Sequence, residues 1–334
     1  MKRLITLISA LLITGATSTF ARDWVEYEGK EGPGLGKHIV FVTGDEEYRS
    51  EEGMPMLAKI LAVHHGFKCT VLFAINPTDG TIDPNNSSNV VGLEKLQNAD
   101  MMVVFTRFRE FPDDKMKYFV DFVNSGKPIL GLRTATHAFQ YAKNPKSPYA
   151  KYTWNSKEWL GGFGRQVLGD TWISHHGNHG SESTRGIFNP DFASHPILRG
   201  VDGIWGPTDV YGITHLPADA KVLVHGQVLA GMNPTDKPVD GPKNNPMMPV
   251  FWIRTFTGET GHTSRVIGTT MGAATDLVNE GLRRTLINSC YWGLGMEDKI
   301  PARSDARIVG DFKPTPFGFN KFVKGRKPAD HELH

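Results

Sequence analysis

The run KPILGLRTATHAF at residues 127–139 decides how this chain folds. Its apolar start reads as a buried strand, and the polar run from Arg133 reads as a sharp turn leading into a helix. Strand, turn and helix in that order form the unit on which α/β proteins present reactive groups, so the turn is the first place to look for chemistry. Upstream lie three more short apolar runs, HIVFVTG (38–44), FKCTVLFAI (67–75) and ADMMVVFTR (99–107). Helical patterns at residues 51–65 and 112–124 separate them, and SG at 125–126 closes the second. The alternation predicts an α/β domain with a doubly wound, mostly parallel sheet and helices on both faces.

Beyond residue 145 the pattern loosens. Gly, Trp, His and Pro-rich stretches over about 145–215 read as a loop-rich insertion within a domain spanning 22–299. Regular runs return in AKVLVHGQVLA (220–230), MPVFWIRTF (248–256) and SRVIGTTMG (264–272), followed by a helical pattern at 279–294. Residues 300–334 read as an extended C-terminal tail wrapping the surface.

The first 21 residues carry Lys2 and Arg3, a short apolar run and a small-residue end, the layout of a cleavable secretory signal. The expected address is periplasmic or extracellular, with no membrane association of the mature form, because the apolar run is too short to span a bilayer. Loss of Lys2 and Arg3 takes the formal charge from +2 to zero, which leaves no basic footprint for nucleic acid. Cys69 and Cys290 read as two buried free thiols, since a core this large needs no disulfide framework. Asn86-Ser87-Ser88 is a formal glycosylation acceptor that matters only in a eukaryotic host. Homo-oligomerisation is left open.

Ligands of open α/β sheets bind beyond the carboxyl ends of the strands. Here those ends deliver Asp45, Glu46, Glu47, Tyr48 and Arg49, then Thr106, Arg107, Arg109 and Glu110, then Arg133, Thr134, Thr136 and His137. Glu46, Glu47, Arg133 and His137 are the catalytic candidates: the carboxylates and the imidazole handle protons, and the guanidinium polarises oxygens. Tyr48, Arg107, Arg109 and Thr134 are candidate substrate contacts. The turn holds Arg133 where an elbow would place a nucleophile, and a guanidinium cannot serve as one. A second run, WISHHGNHGSES (172–183), holds three of the thirteen His in five positions. His175, His176 and His179 could ligate a divalent metal such as zinc, line a polar sugar-contacting loop, or be structural. Trp154, Trp159, Trp172, Trp205 and Trp252 add flat faces, and Asp209, Tyr211 and Arg254 add the polar partners that suit a sugar ring.

The combinations FVTGDEEYRSEEGMPMLA (41–58), GLRTATHAF (131–139), SHPILRGVDGIWGPTDVY (194–211), PVFWIRTF (249–256) and the run at 265–295 resemble the ThuA-like (trehalose utilisation) family. The tail motif PTPFGFNKFVKGRKPADH (314–331) resembles exported planctomycete-type members. The resemblance covers most of residues 37–296 and implies a fold like that of class I glutamine amidotransferases, related to the flavodoxin-like arrangement. It also implies a small-molecule carbohydrate ligand of the oxidised (keto) disaccharide or glycoside kind, and no certain cofactor. Aligned with an amidotransferase elbow, the catalytic Cys falls on Arg133 and the following Gly on Ala135, so glutamine hydrolysis is not expected. Met271-Gly272-Ala273 stands where the family often carries Gly-His, so no role for a His there passes to this chain. The expectation is a sugar-processing hydrolase, lyase or isomerase; the alternatives are a non-catalytic carbohydrate-binding protein and a metal-dependent hydrolase centred on His175, His176 and His179.

Overall fold

The computed structural model describes residues 22–333; the expected signal at 1–21 lies outside the described residues. Ten strands make one sheet: β1 (Trp24–Tyr27), β2 (His38–Gly44), β3 (Lys68–Leu72), β4 (Met101–Thr106), β5 (Ile129–Leu132), β6 (Thr184–Phe188), β7 (Ile204–Gly206), β8 (Lys221–Val228), β9 (Met248–Thr257) and β10 (Thr263–Thr269). Their spatial order is β1-β3-β2-β4-β5-β10-β9-β8-β6-β7. The block β3-β2-β4-β5-β10 is parallel, as the four apolar runs and the helices between them require. Everything flanking that block is antiparallel, so the whole sheet is mixed.

Alternate residues of the parallel strands feed two cores. Ile39 and Phe41 of β2 and Met101, Val103 and Phe105 of β4 point to one face, where they meet α1 (Ser50–His65) and α3 (Glu280–Gly293). Val40, Val42, Met102 and Val104 point to the other, where Met116, Phe119 and Phe122 of α2 (Asp113–Val123) cover them. Burial on both faces explains why these runs are continuously apolar and not alternating. Among the described residues no helix is long and apolar enough to cross a membrane. Both cysteines are buried and free.

Three local features differ from the sequence reading. The turn after β5 does not open into a long helix. Arg133–His137 form a single 3-10 turn, after which Arg109 and Phe139 pair in a parallel bridge and Trp154 donates its backbone N–H to the Phe139 carbonyl. Those bonds pull the chain out of helical geometry. The loop-rich region at 145–215 also contributes β6 and β7, which extend the sheet; five and three residues are too few to show a periodicity. β1, four residues long, was missed for the same reason.

Residues 300–333 contain no strand and cross the start of α1. Thr315 donates its N–H and its hydroxyl to the two Glu52 carboxylate oxygens, at 2.7 and 2.6 Å. Beside that clamp Glu51 is 7% exposed, with neither carboxylate oxygen hydrogen bonded. Burial pushes its carboxyl up to about 8. A carboxyl raised on folding binds a proton that the unfolded chain releases near its ordinary value, so stability is lost as pH rises between about 4.5 and 8. Glu51→Met should therefore stabilise the protein by about 1–3 kcal/mol at pH 8, and much less at pH 4. Urea unfolding at both pH values reads the difference, and equal gains at the two would exclude an ionising Glu51 as the cause.

Candidate functional site

The carboxyl ends of β2, β4, β5 and β10 share one rim, and the backbone there is unusual. Arg49, Phe108 and Arg133 have φ of 62°, 49° and 44° without being glycine, while Gly44 and Gly272 are at 153° and 127°. Left-handed backbone at non-Gly residues costs energy and persists only where the surroundings over-determine it, and such residues gather at functional sites. Asp45 organises the first of these loops. One of its oxygens accepts the N–H groups of Glu47 and Tyr48 at 2.7 and 2.5 Å, and the other accepts the Thr134 hydroxyl. The loop after β2 and the turn after β5 are thereby tied together.

Arg133 leaves that turn inward, not toward solvent. Its guanidinium is fully buried and donates to the Asp209 and Thr270 carbonyls at 2.7 Å each, to Asp209 Oδ1 at 3.0 Å and to the Tyr48 hydroxyl at 3.2 Å. The Tyr211 and Tyr48 rings sandwich it, with centroids 3.9 and 4.5 Å from Cζ. Arginine suits this role because a planar cation stacks on aromatic faces while its edge hydrogen bonds. The nucleophile position of an elbow is thus filled by a structural cation.

Asp209 connects that cation to the His-rich loop. Oδ2 pairs with His175 Nδ1 at 2.7 Å and Oδ1 with His179 Nδ1 at 2.9 Å. Burial drives the Asp209 carboxyl upward, but the Arg133 charge and the hydrogen bonds from both histidines outweigh it and hold the group well below the ordinary carboxylate range. An ionised Asp209 accepts from Nδ1–H of each ring, which leaves Nε2 of each as the basic nitrogen. His179 Nε2 lies 3.5 Å from Glu47 Oε1. The Glu47 carboxyl is raised by burial and by Asp45, in part offset by Arg107. Glu47, His179 and Asp209 therefore lie in line, with the imidazole between two carboxylates. The loop reaches this place because the His176 and Gly177 N–H groups both bond the Val210 carbonyl; a Cβ at Gly177 would sit 3.2 Å from Asp209 Cβ.

The two histidines are about one-third exposed, and aromatic rings stand on either side of them. Trp172 packs edge-on against His175 at 5.9 Å, and Phe317 of the tail lies 5.2 Å from His179. Arg107 stacks on Phe108 and Phe319, 4.5 and 4.9 Å from their centroids. The tail is fixed over the rim by the buried Arg49, which donates to the Thr315 hydroxyl at 3.0 Å and the Gly318 carbonyl at 2.5 Å. In return the Gly318 N–H donates to the Glu47 carbonyl at 2.7 Å.

The residues expected from sequence are distributed unevenly about this site. Glu46 has both oxygens committed, one to Arg107 and the other to Arg109 at 2.6 Å. Arg109 is buried and further bound to the Pro84, Asn86 and Arg107 carbonyls. His137 is buried among Phe108, Trp172 and Tyr211, and burial together with the Arg107 and Arg133 charges pushes its basicity well down, so it stands there neutral. Thr134 is occupied with Asp45. His176 turns away to the Lys243 carbonyl, 2.8 Å from Nε2, and does not join His175 and His179. Arg254 stands in register with Val266, itself beside Ile129 at the entry end of β5, so it belongs to the opposite edge of the sheet. Trp252 is fully buried and gives its indole N–H to Leu168. Arg107, His175 and His179 remain partly accessible, with the buried Glu47 beside them and Asp209, Tyr48, Tyr211 and Arg133 behind them.

Among the described residues, His175, His179 and Asp209 are a group able to offer metal ligands, with donor atoms within 4.8 Å of one another. The sequence did not reveal that Asp209 is the hub, nor that Phe317 and Phe319 come to the rim. Only the pairing of the loop at 174–177 with 210–212 and the path of the tail put them there.

The sheet and elbow define an α/β fold like that of class I glutamine amidotransferases, with Arg133 on the turn after β5. Within that class the chain is similar to a protein from Parabacteroides merdae ATCC 43184 described as ThuA-like, at 12% identity over 89% of this chain and 99% of that one, with a TM-score of 0.50. A second protein so described, from Bacteroides uniformis ATCC 8492, is 14% identical over 79% and 92%, with a TM-score of 0.46. The glutaminase domain of Trypanosoma brucei CTPS is 9% identical over 82% and 100%, with a TM-score of 0.37. The likeness is one of fold and rests on the first of these. No family model and no curated protein matches the sequence.

Because Arg133 neutralises Asp209 in a buried place, Arg133→Met should cost about 3–5 kcal/mol by stranding a charge. Urea unfolding at pH 7 measures it; a loss below about 1 kcal/mol would mean that the pair does not hold the rim together.

Proposed function

We propose that this protein transforms a carbohydrate, an oxidised (keto) disaccharide or glycoside being the class that fits best, by moving protons at the Glu47–His179–Asp209 chain. The observation that carries the reading is Asp209 accepting from both imidazoles, which fixes their tautomers and presents basic nitrogens beside accessible Arg107. On a keto-sugar, one of these bases removes the proton next to the carbonyl. The electron pair moves onto the carbonyl oxygen, and Arg107 stabilises the resulting enolate. Return of a proton gives an isomer, and departure of a neighbouring glycosidic oxygen gives an elimination product. Of the acids and bases expected from sequence, Glu47 keeps its proposed role and the part given to His137 passes to His179. Arg109 and Arg133 support the site from within. A periplasmic or extracellular location is part of the proposal, resting on residues 1–21 of the sequence alone.

The test is turnover of a panel of disaccharides, glycosides and their keto derivatives. Asp209→Asn and His179→Ala, each shown to be folded, should lower kcat/KM by about 100-fold or more. Turnover unchanged in both would sink the proposed roles, and heat of binding without product from the parent protein would favour a carbohydrate-binding protein.

The spacing of His175, His179 and Asp209 favours a second reading, a divalent metal such as zinc at the same place. Purified protein should then hold close to one equivalent after dialysis and lose it in His175→Ala. Substoichiometric metal in the active parent protein would end this reading.

A further inference from the structure

We propose that the C-terminal tail supplies one wall of the ligand site: Phe317 and Phe319 form an aromatic platform for a pyranose ring, facing Trp172 across the two histidines. The inference rests on the carbohydrate reading above and assigns its binding surface.

Three observations carry it. The first is position. Phe317 stacks on Tyr48 at 5.8 Å and 30° and packs against His179 at 5.2 Å, so it borders the imidazole with a carboxylate at each nitrogen. Trp172 borders His175 in the same way, and the two imidazole centroids are 4.8 Å apart. A row of Trp172, His175, His179 and Phe317 results, with flat apolar groups at the ends and proton-handling groups between them. The second is exposure. Phe319 is 51% exposed although it sits over Arg107, whose guanidinium reaches Glu46 and Glu47. The open face of Phe319 offers the flat apolar surface that the C–H face of a pyranose stacks on, beside the polar groups at the rim.

The third is how firmly a segment without regular structure is held. Around these two phenylalanines Thr315 is bound by Glu52 and by Arg49, and Gly318 is bound on one side by Arg49 and on the other by Glu47. Gly318 has φ of 122°, a conformation that favours glycine and turns the chain between Phe317 and Phe319. Its partner Arg49 is itself left-handed and fully buried. A glycine turn and a left-handed buried arginine thus hold two rings at the rim. A tail serving only to cover the sheet has no need of a half-exposed phenylalanine there.

The experiment measures binding of the same sugar panel by titration calorimetry to the parent protein, Phe319→Ala, Phe317→Ala, Phe317→Leu and Phe317→Trp. Phe319 is exposed, so its variant should unfold at the parent temperature while binding the preferred sugar about 3- to 10-fold more weakly, the size of an aromatic contact. Phe317→Leu keeps apolar bulk without a flat face and should weaken binding similarly, whereas Phe317→Trp should restore it. With a turned-over substrate the same factors should appear in KM and not in kcat, because the platform holds ground and transition states alike. Parent-level affinity in both Phe319→Ala and Phe317→Leu would overturn the platform and leave the carbohydrate reading standing. A parent protein that binds no sugar of the panel would overturn both.

Discussion

The buried pair of Arg133 and Asp209 is what the rest of the site depends on. Two charges without solvent are tolerable only when the groups around them are largely satisfied, and here partners come from several directions at once. Backbone carbonyls of Asp209 and Thr270, the Tyr48 hydroxyl and two aromatic faces surround the arginine, whose Nε is left without a hydrogen bond. Two imidazoles complete the aspartate. The pair therefore joins the loop after β2, the turn after β5, the end of β10 and the His-rich loop in one polar network. Removal of either charge leaves the other uncompensated, and that gives the rim a definite geometry although most of it is loop.

The elbow shows how one architecture can be kept while its use changes. The left-handed backbone at residue 133 is the strained kind of turn on which an elbow presents a nucleophile. The side chain there reverses direction in effect: it projects inward and organises, where a nucleophile would project outward and react. Accessible chemistry has moved sideways to residues that arrive on two irregular segments, the loop at 172–183 and the tail. The site thus belongs to loops carried on a rigid scaffold, the usual division of labour in α/β proteins.

The parallel core was legible because β2, β4 and β5 bury both faces and so read as uninterrupted apolar runs. β1, β6 and β7 were not, since three to five residues carry too little pattern. Within the site the strand-end rule located Glu47, Arg107 and Arg133 correctly as neighbours, and it could not say which faced inward. That depended on burial: a guanidinium that could have bound an oxygen of a ligand binds Asp209. Composition drew attention to the histidines but could not separate His176 from His175 and His179, because neighbours in a loop point where the turn sends them and no periodicity applies. Arg254 was misplaced for a related reason, since an antiparallel β9 carries the middle of its run back toward the entry edge of the sheet.

Arg49 grips residues that lie 266 and 269 positions further along the chain. The rim at the end of β2 is therefore completed by a segment far along the chain. The scaffold can assemble while the site still lacks one side, since the tail adds no strand to the sheet. Loop closure over such a distance is slow relative to local pairing, so closure of the rim should follow formation of the parallel core and be separable from it in time.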